Sequence, residues 1–148
     1  MISIIQRVSE AKVTVEGIDI GIIGRGIMAL VAVEKPDSPA QVERLLERIL
    51  NYRIFPDHED KMNLSLRDIQ GGLLLIPQFT LAADTQKGNR PSFASAAPPA
   101  LGRELFGYLQ IHARHVYPDC QFGQFGADMK VMLINDGPVT FTLTSRSG

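Results

Sequence analysis

The stretch GGLLLIPQF, Gly71–Phe79, constrains the fold more than any other part of the sequence. A strand with one wet face alternates apolar and polar residues, whereas here every side chain from Leu73 to Ile76 is a large aliphatic one. An unbroken apolar run of strand length belongs to a strand covered on both faces. The segment therefore predicts a buried central strand. It ends in Pro77, followed by an amide, an aromatic and a threonine, and the ends of strands are where open sheets place ligands.

The rest of the chain supplies the elements such a strand needs. Residues 2–17, ISIIQRVSEAKVTVEG, read as a strand, a short break and a second strand ending at Gly17. Residues 18–34 add two more strands, separated by the turn signal Gly24-Arg25-Gly26. The period then changes. Val42, Leu45, Leu46, Ile49 and Leu50 recur at helical spacing, with Ser38 as N-cap and Pro39 as first helical residue. Residues 98–116 give a second helix, with Leu101, Leu105, Tyr108, Leu109 and His112 on one stripe. Two final strands, Lys130–Ile134 and Val139–Leu143, flank Gly137-Pro138. With no linker, internal repeat or low-complexity segment, the pattern predicts one α+β domain over residues 1–148. Its sheet is mixed or mostly antiparallel, and it carries two main helices.

Composition excludes several classes. A chain of 148 residues with 45% hydrophobic content can bury a core and is not disordered. No apolar run is long enough to span a bilayer, and the N-terminus MISIIQRVSE lacks the features of a signal peptide. A single cysteine, Cys120, forms no intrachain disulfide, which suits a reducing, cytoplasmic setting. The net charge of −1 gives no overall attraction for a polyanion, so any nucleic-acid binding must use a local basic patch.

Familiar catalytic constellations are absent from the sequence. His112 and His115 lie three apart on a predicted helix but have no acidic or cysteine partner at a metal-binding spacing, so no metal is expected. His58 sits in a polar turn. Cys120 lacks a nucleophile signature and reads as a structural thiol. No nucleophile elbow, P-loop or dinucleotide fingerprint occurs, and GIIGRG runs into a strand, not a helix. Three segments stand out instead: IPQFTLAAD (Ile76–Asp84), the polar loop DTQKGNRPSF (Asp84–Phe93) with Lys87 and Arg90, and NDGPVT (Asn135–Thr140). Read alone, the first is a strand end, the second an exposed loop and the third a turn.

Together these segments carry a resemblance. QRV (Gln6–Val8), VTVEG (Val13–Gly17), VEK (Val33–Lys35), YRIF (Tyr52–Phe55), KMN (Lys61–Asn63), QFTLAAD (Gln78–Asp84), RPSF (Arg90–Phe93), GADM (Gly126–Met129) and NDGPVTF (Asn135–Phe141) occur in this order and spacing. In this the chain resembles the D-aminoacyl-tRNA deacylases over nearly its whole length. The resemblance implies a barrel-like sheet and a homodimer with active sites at the subunit interface, without metal or cofactor. It implies tRNA as partner, with no membrane or DNA partner. The implied reaction is hydrolysis of the ester between a D-amino acid, or glycine, and the terminal ribose of tRNA.

The resemblance also implies roles. Gln78, Phe79 and Thr80 form the catalytic segment, with backbone N–H groups around Gln78 and Phe79 polarising the ester and the tRNA 2′-hydroxyl assisting. Thr80 has no evident partner base and is read as a positioning residue, not a nucleophile. Gly137 and Pro138, joined by a cis bond, enter the partner subunit's site. They select chirality with Met129 and with Arg7, which braces them. Backbone carbonyls suit this task because they can hold the amino group and fill the space of an L side chain. Lys87 and Arg90 contact phosphates. One position departs from the pattern: Pro77 stands where serine is usual, and proline lacks both the hydroxyl and a backbone donor. That keeps three alternatives open: an editor of relaxed chirality, a dimeric binding protein without turnover, and an esterase or amidohydrolase of small D-aminoacyl compounds.

Overall fold

A computed structural model describes residues 1–146. Strands β1 (Ile2–Val15), β2 (Ile18–Ile23) and β3 (Gly26–Ala32) come first, then helix α1 (Pro39–Asn51). A short hairpin, β4 (Phe55–Pro56) and β5 (Met62–Leu64), and the single turn α2 (Leu66–Ile69) lead into β6 (Gly72–Pro77). A 3-10 turn (Phe79–Ala82), helix α3 (Pro99–Val116), β7 (Cys120–Phe122) and β8 (Lys130–Thr144) complete the order.

The sheet is mixed. β1 pairs antiparallel with β2, β3 and β8, while β3, β6 and β7 run parallel. The apolar run is the central strand predicted: all six residues of β6 are buried between β3 and β7. Its alternation is hidden because both faces are covered. Leu73 and Leu75 join the core beneath the helices with Ile5, Ile27, Leu46 and Leu105. Leu74 and Ile76 join a second core inside the curled sheet with Val8, Val13 and Met28. The curl nearly closes the sheet. Gly21 of β2 lies so near β7 that a Cβ would sit 3.2 Å from the Phe122 carbonyl oxygen.

Helix α1 begins as expected. Ser38 is the N-cap, its N–H donating to Gln41 Oε1 at 2.8 Å, and Pro39 opens the helix. Its five predicted apolar positions are all buried. Near its start, the Met1 ammonium is fully buried against Asp37 at 2.7 Å and Glu34 at 3.2 Å. Burial pushes the Glu34 carboxyl up, but hydrogen bonds from Arg146 and the Met1 ammonium outweigh this and hold it below its ordinary value.

Three expectations are corrected. Residues 2–15 form one continuous strand in place of two separated by a short break, because β1 is long enough to change partners: β3 along residues 2–8 and β2 along 11–15. The two final strands are one, β8, which follows β1 almost end to end and contains the Gly-Pro pair. The buried stripe of α3 is Gly102, Leu105, Phe106, Leu109 and Ala113, a rotation that leaves Leu101, Tyr108 and His112 half-buried. Tyr108 stacks on His112 and donates to Glu43 Oε1 at 2.5 Å. Those polar ties explain why this flank turns outward.

Candidate active site

The parallel strands β3 and β6 end side by side, with Val31 opposite Pro77. The next residue still holds the ladder, Gln78 donating its N–H to the Val31 carbonyl at 2.7 Å. The chain then tightens into the 3-10 turn Phe79–Ala82. The first turn of α3 stands across from it, and a cavity of about 250 Å³ lies between, lined by Val31, Val33, Gln78, Phe79, Gly102 and Phe125 among others. Gly102 allows the close wall, since a Cβ there would stand 3.1 Å from the Phe125 ring.

Among the lining residues only Gln78 has a polar side chain, and the pocket's other polar groups are backbone. The N–H of Gln78 is spent on Val31. Those of Phe79 and Thr80 are the first two of the 3-10 turn and have no acceptor within it. The Gln78 side-chain amide donates to the Thr80 hydroxyl, so these two side chains occupy each other. Phe79 is 59% exposed, and its ring rests on Phe93 with centroids 5.4 Å apart. That contact seats the loop Asp84–Phe93, whose ends are tied by paired Asp84–Ser92 backbone bonds of 2.7 and 2.9 Å. Lys87 and Arg90 are exposed on it.

Pro77 breaks no ladder bond. Gly72 and Gln78 point their N–H groups to β3, whereas Leu73 points to the β7 side, donating to Asp119. By alternation Pro77 faces the β7 side, past Phe122 where β7 has ended. Its ring packs at Gly123 instead. A Cβ on Gly123 would meet Met129 Sδ at 2.9 Å and Pro77 Cδ at 3.1 Å. Met129 thus sits behind Pro77, with its sulfur accepting from the Gln124 N–H at 3.3 Å.

Gly137 and Pro138 lie elsewhere. Their peptide bond is cis. β8 pairs Asn135 with Val8 and Thr140 with Gln6, so residues 136–139 bulge opposite the single residue Arg7. The bulge is held from two sides. Arg7 Nε donates to the Asp136 carbonyl at 2.8 Å, and Arg7 Nη1 to the Ile54 carbonyl at 2.7 Å. From within, Asn135 Oδ1 accepts the Val139 N–H at 2.6 Å, and Asn135 Nδ2 donates to Thr140 Oγ1 at 2.9 Å. Gly137 has φ +151°, and a Cβ there would stand 2.7 Å from Val139 N.

The register measures the gap between the two halves. Arg7 pairs with Ile27, four residues before Val31 on β3. That is about 13 Å along the strand, and the steps from β8 through β1 and β3 to β6 add about 14 Å across it. Gly137 and Pro138 therefore do not line the pocket of their own chain. The structure places Gln78, Phe79 and Thr80 at one turn, with Gln78 and Phe79 lining the pocket, while Met129 packs at Gly123 and does not line it. Arg7, Gly137 and Pro138 gather at a second place.

Other candidates recede. Burial pushes the Cys120 thiol up, with Arg114 pulling down and Asp119 adding to the rise, as befits an unreactive thiol. His58 is exposed. Among the described residues no three His, Cys, Asp or Glu side chains form a metal-binding group, and no helix is long and apolar enough to cross a membrane. The sequence marks the segment Asn135–Thr140 but gives Asn135 no role of its own, and it does not mark the pocket wall Gly102–Phe125. An asparagine two residues before a Gly-Pro is a turn-forming signal that points to the former. The latter joins segments distant in sequence and has no local signal.

Fold and pocket together define a class: an α+β domain with a mixed, nearly closed sheet and a largely apolar pocket at the carboxyl ends of its parallel strands. Comparison with known proteins narrows this. The chain belongs to the D-Tyr-tRNA(Tyr) deacylase family, whose model matches residues 4–144. It is 57% identical to the D-aminoacyl-tRNA deacylase of Nitrosococcus oceani over 97% of this chain and 92% of that one. It is 59% identical to that of Pseudomonas entomophila, over 97% and 99%. Among solved structures it superposes on the c-Myc DNA unwinding element binding protein with TM-score 0.94 and 37% identity, covering 99% and 100% of the two chains. It is similar in fold to a probable eukaryotic D-amino acid tRNA deacylase (TM-score 0.85, 15% identity, covering 96% and 97%).

Proposed function

We propose that this chain, one domain over residues 1–148, hydrolyses the ester of D-aminoacyl-tRNA in the cytoplasm, releasing free D-amino acid and tRNA. Glycyl-tRNA is a second substrate, since glycine has no side chain to exclude. Water attacks the ester carbonyl, the oxyanion is met by the Phe79 and Thr80 N–H groups, and the proton passes to the leaving ribose oxygen with help from the 2′-hydroxyl. Gln78 positions Thr80 and contributes no N–H, because Val31 already holds it.

The observation that carries the reading is the separation of the Gly137-Pro138 bulge from the pocket of its own chain. Both lie at strongly held backbone, yet only a second copy can bring one to the other. β8 fits such a partner: β1 covers one edge, no described strand covers the other, and Met132 and Ile134 are 56% and 52% exposed. In the proposed homodimer the bulge of one protomer, braced by Arg7, presents its carbonyls to the pocket of the other, with Met129 behind the floor. The amino group is bound and an L side chain is refused.

Complementation tests this. Gly102→Phe fills the pocket and Gly137→Ala disturbs the bulge, so the first homodimer should be inactive on D-aminoacyl-tRNA and the second should keep only a small residual rate. Coexpressed, they should form heterodimers with one intact site and regain activity. A monomer in solution, or failure of mixed dimers to regain activity, would refute the shared site.

A second reading is an editor of relaxed chirality, favoured by Pro77 at the floor of the pocket. It predicts similar rates on D- and L-aminoacyl-tRNA. A third is a nucleic-acid-binding dimer without turnover, for which the name of the c-Myc DNA unwinding element binding protein is the support. It predicts binding with no release of amino acid.

A further inference from the structure

A second depression, about 600 Å³ in volume, runs between α3 and β7 and shares the walls Phe106 and Phe125 with the pocket. Its two charged lining residues, Arg103 and Arg114, are both cationic, and no carboxylate lines it. Arg103, Gly107, Gln110 and Arg114 recur at helical spacing along one face of α3. The two arginines are about 16 Å apart along the axis. The opposite wall brings the amides of Gln121 and Gln124.

Both guanidiniums are held by aromatic rings, not by acids. Arg103 lies 4.9 Å from the Phe125 centroid and Arg114 4.7 Å from that of Phe122. Among the described residues neither takes part in an ion pair. By contrast Arg67 and Arg146 are each paired with a glutamate. A guanidinium stacked on a ring has a fixed plane and free N–H edges, which is the preparation that phosphate recognition needs. Gly107 keeps the middle of the groove open, with nothing within 4 Å of where a Cβ would stand.

We propose that this groove carries the sugar-phosphate backbone of the RNA whose aminoacyl end enters the pocket. The inference rests on the tRNA reading above and adds a path to it. Two phosphates several nucleotides apart along the strand sit on Arg103 and Arg114. The glutamine amides meet ribose hydroxyls between them. The shared wall at Phe125 leads the strand from Arg103 to Phe79. The loop of Lys87 and Arg90 lies beyond Phe79, so the terminal nucleotide is flanked by cations on both sides. An otherwise weakly acidic protein thus acquires its local field for a polyanion.

The test is equilibrium binding of deacylated tRNA, read by fluorescence anisotropy over a range of salt, which requires no hydrolysis. The double variant Arg103→Gln, Arg114→Gln should raise Kd about tenfold or more and flatten the slope of log K against log salt by about 1.4 to 1.8. Wild-type affinity and slope in a folded double variant would overturn the proposal. Gly107→Glu guards against loss of folding, because it places a carboxylate in open space. It should weaken binding about tenfold with an unchanged circular dichroism spectrum, and wild-type affinity in this variant overturns the groove by itself. Groove-dependent binding without release of D-amino acid by the wild type would leave the groove standing and refute the hydrolytic reading. Hydrolysis with groove-independent binding would do the reverse.

Discussion

Arg7 Nε donates to the Asp136 carbonyl at 2.8 Å while Nη1 of the same guanidinium donates to the Ile54 carbonyl at 2.7 Å. One side chain thereby fixes the residue before Gly137 to the chain that follows α1. A lysine offers a single ammonium and cannot span both carbonyls with this geometry. Arg7→Lys should lower kcat/KM on D-aminoacyl-tRNA clearly, and Arg7→Ala should in addition cost about 1–3 kcal/mol of stability through the lost charged hydrogen bonds. Urea denaturation and steady-state hydrolysis check the two effects.

Gly137 is the position in the bulge where a Cβ has no room. At φ +151° it would stand 2.7 Å from both Val139 N and Val139 Cγ2. Val139 is buried and its N–H is held by Asn135, so it cannot retreat. Gly137→Ala should shift the Asp136–Pro138 carbonyls and reduce discrimination between D- and L-aminoacyl-tRNA, even where some hydrolysis persists. The ratio of the two rates is the measurement, and an unchanged ratio would count against a discriminating role.

Thr80 accepts a hydrogen bond from the Gln78 side chain and is exposed, with no basic group bonded to its hydroxyl. Thr80→Ala should therefore keep substantial activity. A substrate ending in 2′-deoxyadenosine should be hydrolysed very slowly by the wild type. Trapping of an acyl-Thr80 adduct, or full activity on the deoxy substrate, would refute the backbone-and-hydroxyl mechanism.

Glu34 gives stability a pH dependence whose sign is fixed. Its carboxyl titrates below the ordinary 4.5 in the folded protein because Arg146 and the Met1 ammonium outweigh the effect of burial. A depressed carboxylate contributes stability that is full above the unfolded value and is lost as pH falls through the folded one. Thermal midpoints should drop as pH is lowered from about 5 toward 3, and Glu34→Gln should drop less steeply over that window while starting lower at pH 7. Parallel curves for the two proteins would contradict this.

Much of the architecture was legible because it rests on local rules. The all-apolar run Leu73–Ile76 could satisfy its side chains only with cover on both faces, and both faces are covered. Ser38-Pro39 opens α1 because a cap and a fixed φ act within a few residues. The short break expected within residues 2–17 and the turn expected at Gly137 fail for the same reason: polar residues and Gly-Pro interrupt a pattern locally. Continuous pairing with β1, visible only in three dimensions, carries the chain through both.

The sequence by itself determined the two main helices, the burial of β6 and the motifs by which the chain resembles its family. Side-chain periodicity and turn chemistry are properties of neighbouring residues. Only the tertiary structure decided which of those motifs meet. Register, not sequence distance, joins Gln78 to Val31 and Arg7 to Asp136, and register also keeps Gly137 away from the pocket of its own chain. The pairing of β1 with β3 on one edge and β8 on the other sets that geometry, because each strand step and each residue of rise is a fixed length of backbone.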